Sequence, residues 1–177
     1  MKAILTFIFL AVLSTSSHAK HGSGAGHGGG GNSFDQLATP AQAASAATGI
    51  PARFIIGQAA LESGWGRSEI RKPDGTTSYN VFGIKATRDW IGQTVSTITT
   101  EYVNGKPQHM VEKFRSYDSY EEAMYDYANM LKATPRYAQV LSGSHDVKGF
   151  ASGMQRAGYS TDPHYAEKLI SIIEKIG

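Results

Sequence analysis

Residues 20–31, KHGSGAGHGGGG, carry seven glycines and no large apolar side chain. Such a segment buries nothing that could repay the entropy of ordering its backbone, so a flexible linker is expected over 20–32. His21 and His27 within it read as solvated side chains, not metal ligands. Cooperative folding is therefore confined to residues 33–177, a length that suits one domain. Ahead of the linker, Lys2 precedes an apolar run from Ala3 to Leu13, and Ser17-His18-Ala19 fits the small-x-small pattern of signal-peptidase sites. Eleven apolar residues fall short of a bilayer core of roughly 30 Å, so residues 1–19 read as a secretory signal peptide and not as an anchor. A periplasmic or secreted protein follows, with no membrane insertion after cleavage.

Composition removes several other classes. The chain has no cysteine, which excludes a thiol nucleophile, a thiolate metal site and a lipidated N-terminal cysteine. Seventeen Lys and Arg against fifteen Asp and Glu give little support to nucleic-acid binding. A hydrophobic content of 41% is ample for a core.

Within 33–177 the pattern is mainly helical. Thr39-Pro40 has the form of an N-cap followed by proline at the first helical position, opening an alanine-rich helix that Gly49 ends. Pro51 opens a second helix, ARFIIGQAALE, which stops at Gly64 and Gly66. Ser119 to Glu122 has capping-box spacing and starts a helix with Tyr120, Met124, Tyr127 and Leu131 on one stripe. A further helix spans Asp146 to Ala157, burying Val147, Phe150, Ala151 and Met154 and ending at Gly158. Asp162-Pro163 begins the last, with Leu169, Ile172, Ile173 and Ile176 on its apolar side. Between Thr94 and Tyr117 the pattern changes to two extended runs flanking Asn104-Gly105, a strong type I′ hairpin signal. That turn pairs Val103 with Lys106, Glu101 with Gln108 and Ile98 with Val111. The fold class is α+β, mainly helical, with a small β-hairpin lobe.

The second helix carries the first candidate for chemistry. Ile55, Gln58, Ala59 and Glu62 recur at three- and four-residue steps, so Glu62 shares a side with apolar residues. It also sits in the last turn, near the negative end of the helix dipole. Both effects disfavour the carboxylate, and a carboxylic acid kept protonated near neutral pH can protonate a glycosidic oxygen. Glycosidases commonly pair two carboxylates. Glu101 and Glu112, on facing strands, are both candidates for the second, and periodicity does not choose between them. Sugar sites also use amides and flat aromatic faces. Asn80, Phe82, Trp65 and Trp90 are candidates for these, and Tyr159 falls just beyond a helix end.

The segments AALESGWG (59–66), SYNVFGIKAT (78–87), TTEYVNG (99–105), KFRSYDSYEEA (113–123) and AGYSTDPHYAEKL (157–169) resemble glycoside hydrolase family 73. The likeness covers roughly 34–177 and is nearest to the branch that forms the C-terminal hydrolase half of flagellar rod-assembly proteins. It implies a lysozyme-like fold and endo-β-N-acetylglucosaminidase activity on peptidoglycan, without cofactor or metal. Carried over position by position, it makes Glu62 the general acid, Glu101 and not Glu112 the second carboxylate, and Tyr159 an active-site tyrosine. Asn80, Phe82 and Gly83 match its Asn-x-Phe-Gly signature as lining of the sugar cleft, and Tyr165 joins Trp65 and Trp90 among the substrate-binding candidates. The implied partners are glycan strands and an envelope-spanning secretion or flagellar apparatus. In the flagellar branch a rod-binding domain precedes the hydrolase half, where this sequence is expected to have a leader and linker. Two rivals remain at this level: a muramidase or lytic transglycosylase working with one glutamate, and a peptidoglycan-binding module without turnover.

Overall fold

The computed structural model describes residues 35–103, 106–143 and 146–176, with the side chains of 101–103 and 106 outside that description. The expected signal peptide, linker and Asn104-Gly105 turn lie outside the described residues. Helices α1 (Asp35–Thr48) and α2 (Ala52–Ser63) are followed by a long loop, then strands β1 (Thr94–Val103) and β2 (Lys106–Arg115). Helix α3 (Tyr120–Lys132), a 3-10 turn at Pro135–Tyr137, and helices α4 (Ala138–Ser142), α5 (Val147–Arg156) and α6 (Tyr165–Lys175) complete the chain.

Helix α2 is the axis of the helical body. Phe54 through Ala60 are all buried, so this helix is covered on every side, as a helix apolar all round must be. It packs against α1, α5 and α6. Gly57 lets α6 approach: a Cβ there would stand 2.6 Å from Cγ1 of Ile173. The helix ends as its glycines require, with Gly64 in the left-handed region and its N–H on the carbonyl of Ala60. Ser119 caps α3 by accepting from the N–H of Glu122 at 3.2 Å, and the Glu122 carboxylate returns to the N–H of Asp118 at 2.9 Å. Asp146 caps α5 through the N–H of Gly149 at 2.7 Å. On α6 Leu169 and Ile173 are buried, while Ile172 is only half-buried.

Besides α6, which starts at Tyr165 and not at Asp162-Pro163, two elements depart from expectation. The first helix begins at Asp35 and holds Pro40 inside it. Leu37 is 3% exposed, and burying it against the core draws an extra turn ahead of the proline. The segment 135–142 was not expected to be regular. It coils because Tyr137 and Val140 anchor it, too few apolar positions to show a period.

The strands pair antiparallel in the expected register, Val103 with Lys106, Glu101 with Gln108 and Ile98 with Val111. Val95 and Phe114 are buried at the base of this hairpin, whereas Ile98 and Val111 are each 69% exposed. Bridging of Lys85 to Phe114 and a bond from the N–H of Ala86 to the Lys113 carbonyl fasten the base to the preceding loop. Among the described residues, no helix is long and apolar enough to cross a membrane.

Candidate active site

Glu62 stands in the last turn of α2, at the wall of a cleft of about 320 Å³ between the helical body and the hairpin. Ser68, Glu69, Arg71, Asn80, Gly83, Thr97 and Thr99 share the lining. Burial pushes its carboxyl up to about 8, opposed in part by a hydrogen bond from the side-chain amide of Gln58 to Oε1 at 2.7 Å. Gln58 is fully buried and accepts in turn from the Tyr165 hydroxyl at 2.8 Å. One oxygen of Glu62 is thereby oriented from inside the protein, on a helix that cannot shift without disturbing the core. Next to it, the hydroxyls of Tyr127 and Tyr159 bond each other at 2.9 Å, both phenols held far above their ordinary range chiefly by burial. The tyrosine layer is buried and neutral, and its aromatic packing (Tyr159 to Tyr165, centroids 5.1 Å apart) seats the acid from behind.

Residues 38–177 match the glucosaminidase family, described as mannosyl-glycoprotein endo-beta-N-acetylglucosaminidase. The chain belongs to this family of glycoside hydrolases. Over 141 residues it is 48% identical to peptidoglycan hydrolase FlgJ of Escherichia coli K12, a match covering 80% of this chain and 45% of that protein. The chain thus spans less than half the length of the curated relatives it matches first. Among solved structures, a C-terminally truncated glycoside hydrolase domain of Salmonella typhimurium FlgJ is similar, with a TM-score of 0.72 and 45% identity over 82% of this chain and 96% of that one. A peptidoglycan hydrolase mutant from Sphingomonas sp. A1 is similar at a TM-score of 0.70 and 49% identity, over 80% and 92% of the two chains. The lysozyme-like, mainly helical α+β class holds.

In this glucosaminidase domain the candidates fall into distinct places. Glu101 sits on β1 opposite Gln108, at the alternate position that continues Val95, Thr97 and Thr99; its side chain is outside the described residues. Glu112, the other carboxylate considered, pairs with Lys85 at 3.5 Å. Asn80 lines the cleft, but its amide is spent on the protein. Nδ2 donates to the carbonyls of Ile84 at 3.0 Å and Arg115 at 2.8 Å, and Oδ1 accepts from the N–H of Ile84 at 3.0 Å. Its role is to pin the loop to the end of β2. Phe82 is fully buried and stacked on Tyr127 at 4.1 Å, so it supports the tyrosine layer and has no face for a sugar. Gly83 lines the cleft at φ +63, a conformation that favours glycine. Tyr165 is fully buried and acts through Gln58. Trp65 is half-buried on the left-handed turn beyond Glu62.

Trp90 is elsewhere. Its ring lies 4.5 Å under the Arg115 guanidinium, its indole N–H bonds the Gln93 carbonyl at 2.9 Å, and it borders a separate groove with Tyr117, Asp118 and Glu121. Two contributors were not foreseen from sequence. Gln58 is the one polar side chain inside an otherwise apolar run, four residues before the acid, which is a legible signal. Glu69, a second carboxylate in the Glu62 cleft, has no such signal.

Proposed function

We propose that this protein is a peptidoglycan hydrolase, an endo-β-N-acetylglucosaminidase that cleaves the β-1,4 bond between N-acetylglucosamine and N-acetylmuramic acid during local cell-wall remodelling. The observation that carries this is Glu62: a carboxylic acid at a cleft wall, raised to about 8 and held by Gln58, is protonated at neutral pH and oriented to donate. It gives its proton to the leaving oxygen as positive charge builds on the sugar. Glu101, at its register position on the hairpin, activates water or stabilises that charge. Tyr159 is 5% exposed, which favours positioning of Glu62 over direct contact with an acetamido group. The names of the relatives, peptidoglycan hydrolases in three organisms, support the substrate. Residues 1–19 direct export to the periplasm or beyond, 20–32 tether the hydrolase, and a flagellar or secretion apparatus is the class of machine that needs such local clearance.

Turbidity clearing of purified peptidoglycan tests this, with fragment masses from the same reactions. Wild type clears the suspension and leaves N-acetylglucosamine at the new reducing ends. Glu62→Gln loses activity by at least about 10²-fold, the usual contribution of a general acid. Anhydromuramic ends would identify a lytic transglycosylase instead, and near-wild-type clearing by Glu62→Gln would remove Glu62 as the donor.

A further inference from the structure

Seven residues beyond Glu62, Glu69 lines the same cleft and is held there by a built network. Two hydroxyls converge on its Oε1, one from Thr77 and one from Tyr120 at 3.2 Å. Both donors are themselves fixed by Tyr79. The Tyr79 N–H donates to the Thr77 hydroxyl at 2.9 Å, and its ring meets that of Tyr120 edge-on at 5.0 Å. Tyr79 does this at φ +58, in the left-handed region that costs a non-glycine residue free energy and persists only where neighbours enforce it. Here the enforcement is visible. The loop between Glu69 and Tyr79 is closed by pairing of Arg71 with Thr77, and both the N–H and hydroxyl of Ser78 bond the Ile70 carbonyl. The N–H of Tyr117 on the Ser78 carbonyl ties this loop to the end of the hairpin.

The other oxygen of Glu69, Oε2, has no partner among the described residues. A carboxyl oxygen held at the wall of a polar cleft, with its twin fixed by two hydroxyls, is placed to accept from donors that enter the cleft. Ser68, Thr97 and Thr99 give the surrounding wall hydroxyl character, suited to a neutral sugar. We propose that Glu69 is a substrate-binding residue of this cleft, its Oε2 accepting hydrogen bonds from hydroxyl groups of the bound glycan. This rests on the hydrolase reading above. The bland alternative is that Glu69 merely tethers its loop through Thr77 and Tyr120.

The test separates binding from turnover and from folding. In a Glu62→Gln background, which does not hydrolyse, the Kd for an N-acetylglucosamine tetramer is measured by calorimetry with and without Glu69→Ala. In the active protein, kcat and KM are measured on soluble glycan fragments. Glu69→Ala is expected to weaken Kd and raise KM by about tenfold, the effect of one charge-assisted hydrogen bond, with kcat changed by less than about twofold. Glu69→Gln keeps an oxygen for Thr77 and Tyr120, so it keeps the tether while losing the outward acceptor. It should therefore show a similar weakening at unchanged Tm, and it carries the test if the alanine variant does not fold. Unchanged Kd and KM in Glu69→Gln, or a fall in kcat alone, would overturn the proposal. If the Glu62→Gln protein binds no tetramer at all, the hydrolase reading of the cleft fails with it; if it binds and Glu69→Gln binds equally, only Glu69 fails.

Discussion

A carboxylic acid kept neutral inside a protein makes stability fall across one pH window, and Glu62 sets that window at about 4.5 to about 8. Below it the side chain is protonated in both folded and unfolded chains and costs nothing. Within it the unfolded chain releases a proton that the folded chain retains, so stability falls as pH rises, and above about 8 the penalty is constant. Glu62→Gln removes this term while preserving an acceptor for Gln58. The variant should therefore be more stable than wild type at pH 8 by on the order of 2 kcal/mol, discounted for the cleft-facing edge, and no more stable at pH 4. Thermal melts across that range check it, and a difference independent of pH would show that Glu62 is not protonated in the fold. Activity has the complementary limb. With Glu62 as the proposed proton donor, kcat/KM should hold up to about pH 8 and then fall about tenfold per pH unit as the carboxyl ionises.

Helix α2 transmits any displacement of the core to that acid, and its crossing with α6 is the tightest point. A methyl at position 57 would lie 2.6 Å from Cγ1 of Ile173 and 3.1 Å from Cδ1 of Leu169, both buried. Alanine's helix propensity favours the substitution by about 1 kcal/mol, but overpacking costs about 1–3 kcal/mol. Gly57→Ala should thus lower Tm by a few degrees and reduce clearing as well, since α2 must move to relieve the contact. A raised Tm would mean that Ile173 gives way without cost. Much of this level was legible in sequence. The caps at Ser119 and Asp146, the stop at Gly64 and the hairpin register all depend on contacts within a few residues or on a two-residue turn. What was not legible depends on distance in the chain. The start of α1 is set by burial of Leu37, and Glu69 draws on Tyr120, fifty-one residues away, and on a loop without periodicity. At the site, Glu62 could be read from its helix face and Gln58 from its apolar surroundings. The opposite happened with Asn80 and Phe82: a recognisable signature suggested contact with sugar, and the structure commits one to backbone carbonyls and the other to the core.

The whole molecule divides mechanically into a helical body that fixes Glu62 and a hairpin that carries Glu101. A two-stranded sheet is marginal by itself, and among its described side chains the buried apolar ones, Val95 and Phe114, lie at its base. Its attachment is largely polar. Arg115 grips both oxygens of Asp126 on α3 at 2.9 and 2.8 Å, and the Tyr117 hydroxyl reaches the same carboxylate at 2.6 Å. Farther out, Ile98, Met110 and Val111 are exposed. Free energies of local opening should accordingly be far lower across 96–100 and 109–113 than along α2 and α6, where exchange approaches the global limit. Hydrogen exchange in the native state reads this directly. Asp126→Ala removes both anchors and leaves Arg115 half-buried without its partner, a loss of about 2–3 kcal/mol concentrated at the hinge. Fast exchange should then spread through β2 to Arg115 while α2 stays protected, and clearing should fall although Glu62 is untouched. Uniform loss of protection in body and hairpin together would instead make the domain a single cooperative unit, with no independent motion available to bring the two carboxylates together.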